Sequence, residues 1–227
     1  MRVCVINTRN PVHSFANLIL IFKDVEDRPT SVQVHQALRP SIQLELFPKS
    51  TIDVFITVLE ADGADSCVAS ASIAASAAIA DAGFEMFGLV AACSACAFPF
   101  SPSLTDMDMD EGESKVPENV GIWLDPNAEE SSHAKGSLVM ACMPAFGTVT
   151  NVQQTGIMTT ATTGKVRISS STATPHGLKH RPHQCLDLCL QRCADIHGVM
   201  AQALLEGARA KAASSEVTTA SMKPWTN

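Results

Sequence analysis

The feature that most constrains this chain is a strand signal that runs through an Asp-Gly pair into a long alanine-rich run. In Thr51-Ile52-Asp53-Val54-Phe55-Ile56-Thr57-Val58-Leu59, residues Ile52, Val54, Ile56 and Val58 share one face by the period-2 geometry of a strand. Phe55 lies on the other face, so the strand is expected to be covered on both sides. Asp62-Gly63 ends it, because this pair favours turns. Residues 66–82 follow as a predicted helix, with Gly83 as its C-terminal stop. Asp65 or Ser66 is expected to cap that helix, since either side chain can accept from an orphan N–H of the first turn. A strand-to-helix turn of this kind is a natural anion site, because backbone N–H groups point out of it.

Around this unit the pattern is mixed. Val3–Ile6 and Leu18–Phe22 have strand character within an otherwise ambiguous segment, 1–27. Residues 31–38 read as a helix ending at Pro40. Strands are expected at Ile42–Leu46, Leu89–Ala97 and Gly121–Leu124. A hairpin is expected from Leu138–Met143 and Thr148–Gln154 through the turn at Pro144–Gly147. Leu186, Cys189, Leu190, Cys193, Ile196, Met200 and Leu204 recur at helical spacing and predict a helix to Ala210. The expected organisation is one domain over 28–212, with insertions at 99–119 and 161–184 and a loose tail at 213–227. Residues 99–119 are acidic, Ser-rich and bracketed by prolines. Residues 161–184 are rich in Ser, Thr, His and basic side chains.

Composition narrows the function classes. Of 227 residues, 46% are hydrophobic and 17% charged, which suits a chain with a sizeable core. The formal net charge of −7 gives no global attraction for nucleic acid, although it leaves room for a local basic groove. Tyr is absent while Ala and Ser abound, so elements are expected to pack closely through small side chains. The eight cysteines fall mostly in apolar segments and read as buried free thiols of a reducing compartment. Asn17–Phe22 is too short to span a bilayer, and no cleavable leader is recognised.

Four constellations bear on chemistry. Asp106-Met-Asp108-Met-Asp110 opens like a calcium loop, but the required Gly and Glu positions hold Glu111 and Pro117. Cys93-Ser-Ala-Cys96 has redox spacing but sits in an apolar, strand-like run rather than at a helix N-terminus. Cys185, Cys189 and Cys193 share one helical face, which by itself cannot surround a zinc ion. All three read as ordinary structure, and no metal or cofactor is expected. Lys165, Arg167, His176, Lys179, His180, Arg181 and His183 form a basic stretch able to touch phosphate, with a solvated segment as the alternative.

Taken in order, Ala37-Leu38-Arg39-Pro40, Leu44–Ser50, the opening strand, Ala80-Asp81-Ala82-Gly83, Leu89–Ser94, Trp123-Leu124-Asp125-Pro126 and Gln191–His197 make the chain from about Ser31 to Ala210 resemble the RNase PH family, and within it the ring subunits of the eukaryotic RNA exosome. The resemblance implies an α+β fold of the ribosomal protein S5 domain 2-like type. It implies a six-membered ring of heterodimers around an RNA channel. Active members attack an RNA 3′ end with inorganic phosphate and release nucleoside diphosphates.

That chemistry implies a Gly-Thr-Arg segment after the Asp-Gly turn to hold phosphate, and a pair of aspartates six residues apart. Here Ala64-Asp65-Ser66 occupies the first place. Ser66 replaces the guanidinium fork that matches phosphate. Asp65 adds a like charge whose repulsion at about 4 Å is several kcal/mol in a partly buried site. Asp125 matches the first aspartate, and Ser131 stands at the second, beside Glu130. The expectation is a catalytically silent subunit, with an active phosphate-dependent 3′-to-5′ exoribonuclease as the alternative. As an obligate hetero-oligomer it would assemble with other RNase PH-like ring subunits and cap subunits, supporting RNA processing and degradation in nucleus, nucleolus and cytoplasm. Arg28, Arg39, Lys49 and Lys135 are the candidates for contacting RNA. The family's longer N-terminal region, with an Asp-Gly-Arg segment, is not matched by 1–27. Without strands there, the sheet would carry a bare edge.

Overall fold

The computed structural model describes residues 2–9, 17–23, 28–48, 50–99, 120–158, 163 and 185–221. The segments expected as insertions, 99–119 and 161–184, lie almost wholly outside them, as does the acidic run from Asp106.

The strand ahead of the Asp-Gly turn is the centre of a three-stranded sheet. Strand β3 (Thr51–Thr57) pairs antiparallel with β1 (Arg2–Arg9) and parallel with β2 (Asn17–Lys23). Both edges of β3 are therefore paired, and the bare edge does not arise there. Ile52, Val54 and Ile56 are fully buried on one face, as their alternation requires. Thr51 and Asp53 are buried too, and Phe55 is half-buried, so both faces are covered.

A second, antiparallel sheet has the order β5-β4-β6-β7, with β4 Ala91–Pro99, β5 Val120–Leu124, β6 Gly136–Met143 and β7 Thr148–Gly156. The β6–β7 hairpin turns through a single 3-10 turn at Pro144–Phe146. Gly147 closes it with φ 61°, a left-handed conformation that glycine adopts without strain.

Helices α1 (Arg28–Leu38) and α2 (Ala64–Asp81) stand between the two sheets. Buried residues of α1, α2 and β3 form one core with Val90 and Ala92 of the β4 segment and with Val139, Ala141 and Met143 of β6. Small side chains make this possible. Ala71, Ser72, Ala75 and Ser76 of α2 are all fully buried, so a helix fits between two sheets at close range. The two serines are satisfied locally: Ser72 donates to the Val68 carbonyl at 2.8 Å, and Ser76 accepts from the Val90 N–H at 2.8 Å. Helix α2 ends at Gly83 (φ 81°), whose N–H bonds the Ala80 carbonyl while that of Phe84 bonds Ile79. This is the pair of bonds that closes a glycine-terminated helix.

The opposite face of the second sheet carries helix α4 (Cys185–Ser221). A second core joins Ala91, Cys93 and Ala95 of β4 and Leu138, Met140 and Cys142 of β6 to Cys185, Leu186, Cys189, Cys193 and Met200. The apolar stripe stops near Leu204, as its spacing predicts. The helix itself continues to Ser221 because the following residues are rich in Ala and other helix formers.

Three local expectations are corrected. Ile42–Leu46 is not a strand: Ile42 makes a lone bridge to Met86, and Leu44–Leu46 is a 3-10 turn. The segment it faces, 85–87, is too short to extend a ladder, and the Leu44 N–H turns back to the Ile42 carbonyl. Helix α2 begins at Ala64 with Gly63 in the cap position and no side-chain cap. Asp65 and Ser66 thus lie inside the first turn rather than capping it. A short helix α3 (Ala128–His133) stands where no helix was expected. It is held by a capping box: Asn127 Oδ1 accepts from the Glu130 N–H at 2.7 Å, and the Asn127 N–H donates to Glu130 Oε2 at 2.9 Å.

Candidate functional site

The two turns singled out for chemistry meet at the end of the second sheet. The β3–α2 turn delivers Asp65 and Ser66, and the β5–α3 turn delivers Asp125 through Ser131. Ser66 Oγ donates to the Pro126 carbonyl at 3.2 Å and ties the two turns together. Alternate residues of β4 face this place. Ser94 Oγ donates to Asp125 Oδ1 at 3.2 Å, and the Ser94 carbonyl accepts from the Asp125 N–H at 2.9 Å. The Cys96 thiol donates to Ser131 Oγ at 3.8 Å. Ser66, Asp125 and Ser131 are therefore brought into one neighbourhood.

Backbone geometry sets Asp125. Its φ of 51° is left-handed, a conformation that Asp tolerates better than most side chains. Both the main chain and the carboxylate of Asp125 are engaged by Ser94. One oxygen of Glu130 is likewise engaged, by the Asn127 N–H of the capping box.

The electrostatics are acidic. Residues 58–66 and 121–134 contain Glu60, Asp62, Asp65, Asp125, Glu129 and Glu130, and no Lys or Arg. Their reach is visible at Cys96. Burial pushes this thiol above its ordinary range, the Ser131 hydrogen bond pulls it back, and the charges of Asp65, Cys185 and Glu130 add to the rise. Two carboxylates from the two turns thus bear on one atom of the site. A phosphate here would meet net negative charge.

The residues considered for RNA contact are not part of this neighbourhood as a set. Arg39 is exposed at the end of α1, and Lys135 is exposed just before β6, where its N–H bonds the Ala97 carbonyl. Arg28 opens α1, and Lys49 lies outside the described residues, as does the basic stretch from Lys165 to His183. Among the described residues no group of His, Cys, Asp or Glu is arranged to hold a metal ion. No helix among them is long and apolar enough to cross a membrane.

Sequence reasoning missed Ser94 as a member of the site. Its alternation with Cys93 on β4 was legible, but its partner Asp125 is supplied by a distant turn.

Comparison with known proteins agrees with this architecture. The model of the RNase PH family, described as the 3′ exoribonuclease family, domain 1, matches residues 23–85, the stretch that holds α1, β3 and α2. The fold as a whole superimposes on the crystal structure of rice (Oryza sativa) Rrp46 with a TM-score of 0.63 at 15% identity, covering 89% of this chain and 82% of that one. Residues 23–85 thus resemble the RNase PH family, and the α+β fold of the chain is the RNase PH fold.

Among curated relatives, this chain is similar to the exosome complex component mtr3 of Schizosaccharomyces pombe, 38% identical over 134 residues. It is also similar to the exosome complex component Rrp41 of Pyrococcus furiosus, 40% identical over 126 residues, and to an exosome complex component RRP41-like of Arabidopsis thaliana, 36% identical over 130 residues. These matches take in 58%, 56% and 57% of this chain and 45%, 42% and 42% of the respective relatives. The chain therefore spans less than half the length of the curated relatives it matches.

Proposed function

We propose that this chain is a structural subunit of an RNA exosome ring, one that completes the ring and guides RNA without cleaving it. Exosome components recur among its relatives, and the RNase PH fold supplies the shared architecture. The observation that carries the non-catalytic reading is the β3–α2 turn. Ser66 stands where the resemblance calls for a phosphate-binding arginine, and its hydroxyl is turned to the Pro126 carbonyl. Asp65 precedes it, and the neighbouring turn adds Asp125, Glu129 and Glu130. Backbone N–H groups at a helix start favour an anion, but the Asp65 carboxylate already places negative charge in that first turn.

In this reading the partners are other RNase PH-type ring subunits and the cap subunits, in an obligate hetero-oligomer. The chain passes RNA along a path to which Arg28, Arg39, Lys49 and Lys135 contribute positive charge. It works wherever exosomes do, in nucleus, nucleolus and cytoplasm, and needs no cofactor.

A second reading is an active phosphate-dependent 3′-to-5′ exoribonuclease, favoured by the description of the matched family as 3′ exoribonucleases. One reconstitution separates the two. A ring is assembled in which every other phosphate-binding arginine is replaced, and RNA is supplied with inorganic phosphate. The structural reading expects no nucleoside diphosphate above the level of a ring lacking this chain. Phosphate-dependent release would establish the enzyme. Affinity purification of the tagged chain tests the assembly, and recovery of no other exosome component would overturn it.

A further inference from the structure

We propose that the interface between α4 and the second sheet holds two disulfide-forming sites, Cys142–Cys193 and Cys93–Cys189, through which a small-molecule disulfide such as oxidised glutathione staples the helix to β6 and β4. The inference stands on packing and is independent of the functional reading above.

The two sheet cysteines lie on one face. Cys93 is opposite Met140 and Cys142 is opposite Ala91, so the two cysteines are diagonal neighbours across β4 and β6. Such neighbours are spaced about 7–8 Å apart. On the facing helix, Cys189 and Cys193 are one turn apart, about 5–6 Å between Cβ atoms. All of these cysteines belong to one buried cluster between the helix and the sheet. Cys193 is close enough to Cys142 to interact with its thiol, and Cys189 is close to both Cys185 and Cys93. All five thiols are buried, at no more than 5% exposure. The neighbouring Cys193 lowers the Cys142 thiol from its ordinary range.

Cys185 competes for Cys189, but geometry disfavours that bridge. A disulfide needs Cβ atoms about 3.5–4.5 Å apart, closer than residues one turn apart on a helix are held. The sheet-to-helix pairs carry no such restriction.

The exchange balances. The Cys142 thiolate attacks one sulfur of oxidised glutathione, whose S–S bond breaks and releases one glutathione thiolate. Cys193 gives its proton to solvent and attacks the Cys142 sulfur of the mixed disulfide, releasing the second glutathione. Two protein thiols are oxidised by two electrons, and one glutathione disulfide is reduced to two thiols. Cys93 and Cys189 follow the same course. Because the thiols are buried, each reaction waits on a local parting of α4 from the sheet.

The test is oxidation of the full folded chain with oxidised glutathione at mildly alkaline pH, followed by non-reducing digestion and mass spectrometry. The expected peptides join Cys142 to Cys193 and Cys93 to Cys189, with a higher thermal midpoint that dithiothreitol reverses. Cys193→Ala should lose only the first bridge, and Cys189→Ala only the second. Wild-type mapping decides the matter even if a variant folds poorly. A native chain that yields only glutathione adducts, a Cys185–Cys189 bridge, or the same scrambled pairs as the urea-unfolded chain would overturn the proposal.

Discussion

At the residue scale, the proposed non-catalytic reading turns on two neighbours in the first turn of α2, Asp65 and Ser66. The turn keeps its architecture, since Asp62-Gly63 still ends the strand segment and α2 still starts beside it. What differs is the charge in the first helical turn. Replacing Asp65 by Thr and Ser66 by Arg together should raise affinity for inorganic phosphate at least about tenfold, as removal of one like charge and addition of a fork-shaped donor are each worth upward of ~1 kcal/mol. Ser66→Arg alone should gain less, because Asp65 would pair with the new guanidinium. Titration calorimetry with phosphate reads both, and equal affinity in wild type and double variant would show that the turn is not aimed at an anion. Cys96 makes the same field measurable through pH. Its thiol is raised in the folded chain, chiefly by burial. The folded state therefore holds that proton more tightly than the unfolded state. The resulting stability is fully present below the ordinary thiol pKa and is lost as pH rises through the folded value. Cys96→Ala should flatten part of the alkaline fall in urea-melt stability, and an unchanged slope would show that Cys96 does not supply it. The identities of Ser66, Asp125 and Ser131 were legible without a structure. That Ser94 binds Asp125 was not, because 31 positions separate them along the chain and only sheet packing brings them together.

At the scale of elements, legibility followed the strength of the periodic signal. Strand β3 and helix α2 were readable because apolar alternation and an unbroken small-residue run are unambiguous, and Gly83 marks the stop. Ile42–Leu46 shows the limit of the same rule. Its Ile, Leu, Leu alternation fits a strand, yet Leu46 is 52% exposed and no partner strand among the described residues lies along it, so the turn geometry prevails. Helix α3 was missed because its six residues, five of them polar, carry no apolar stripe. Its signal was the Asn127-x-x-Glu130 box, visible once sought. The small-residue face of α2 is the element-scale feature with the sharpest consequence. Ala75 is fully buried between the sheets, and a larger side chain has to displace one of them. Ala75→Leu should destabilise the chain by about 1–3 kcal/mol through overpacking. Ser70 lies on the exposed side of the same helix, and Ser70→Ala should be neutral within about 0.5 kcal/mol. Chemical denaturation of both variants checks the contrast. Equal effects would mean that the helix is not clamped as the packing indicates.

For the whole molecule, the arrangement of layers explains which half of the chain announces itself. Residues 23–85 match the family model, and these hold the elements whose packing depends on small side chains and local turns. The N-terminal strands do not read as family sequence, yet β1 and β2 occupy both sides of β3. Backbone pairing asks only for extended segments of suitable length, so the ladder holds a strand in place even where its side chains carry no family signal. The position of α4 was readable from its stripe, but which strands its cysteines meet was not, because that depends on the register of β4 against β6. The dependence of β3 on its neighbours yields a final expectation. A chain beginning at Arg28 would leave Thr51–Thr57 with two unpaired edges and an apolar face, the combination that invites association with other chains. It should elute from size-exclusion chromatography as aggregate, or depend more strongly than the full chain on co-expression with a ring partner to remain soluble. If the truncated chain eluted alone as a monomer with an unchanged urea m-value, β1 and β2 would be shown to bury little of the surface that unfolding exposes.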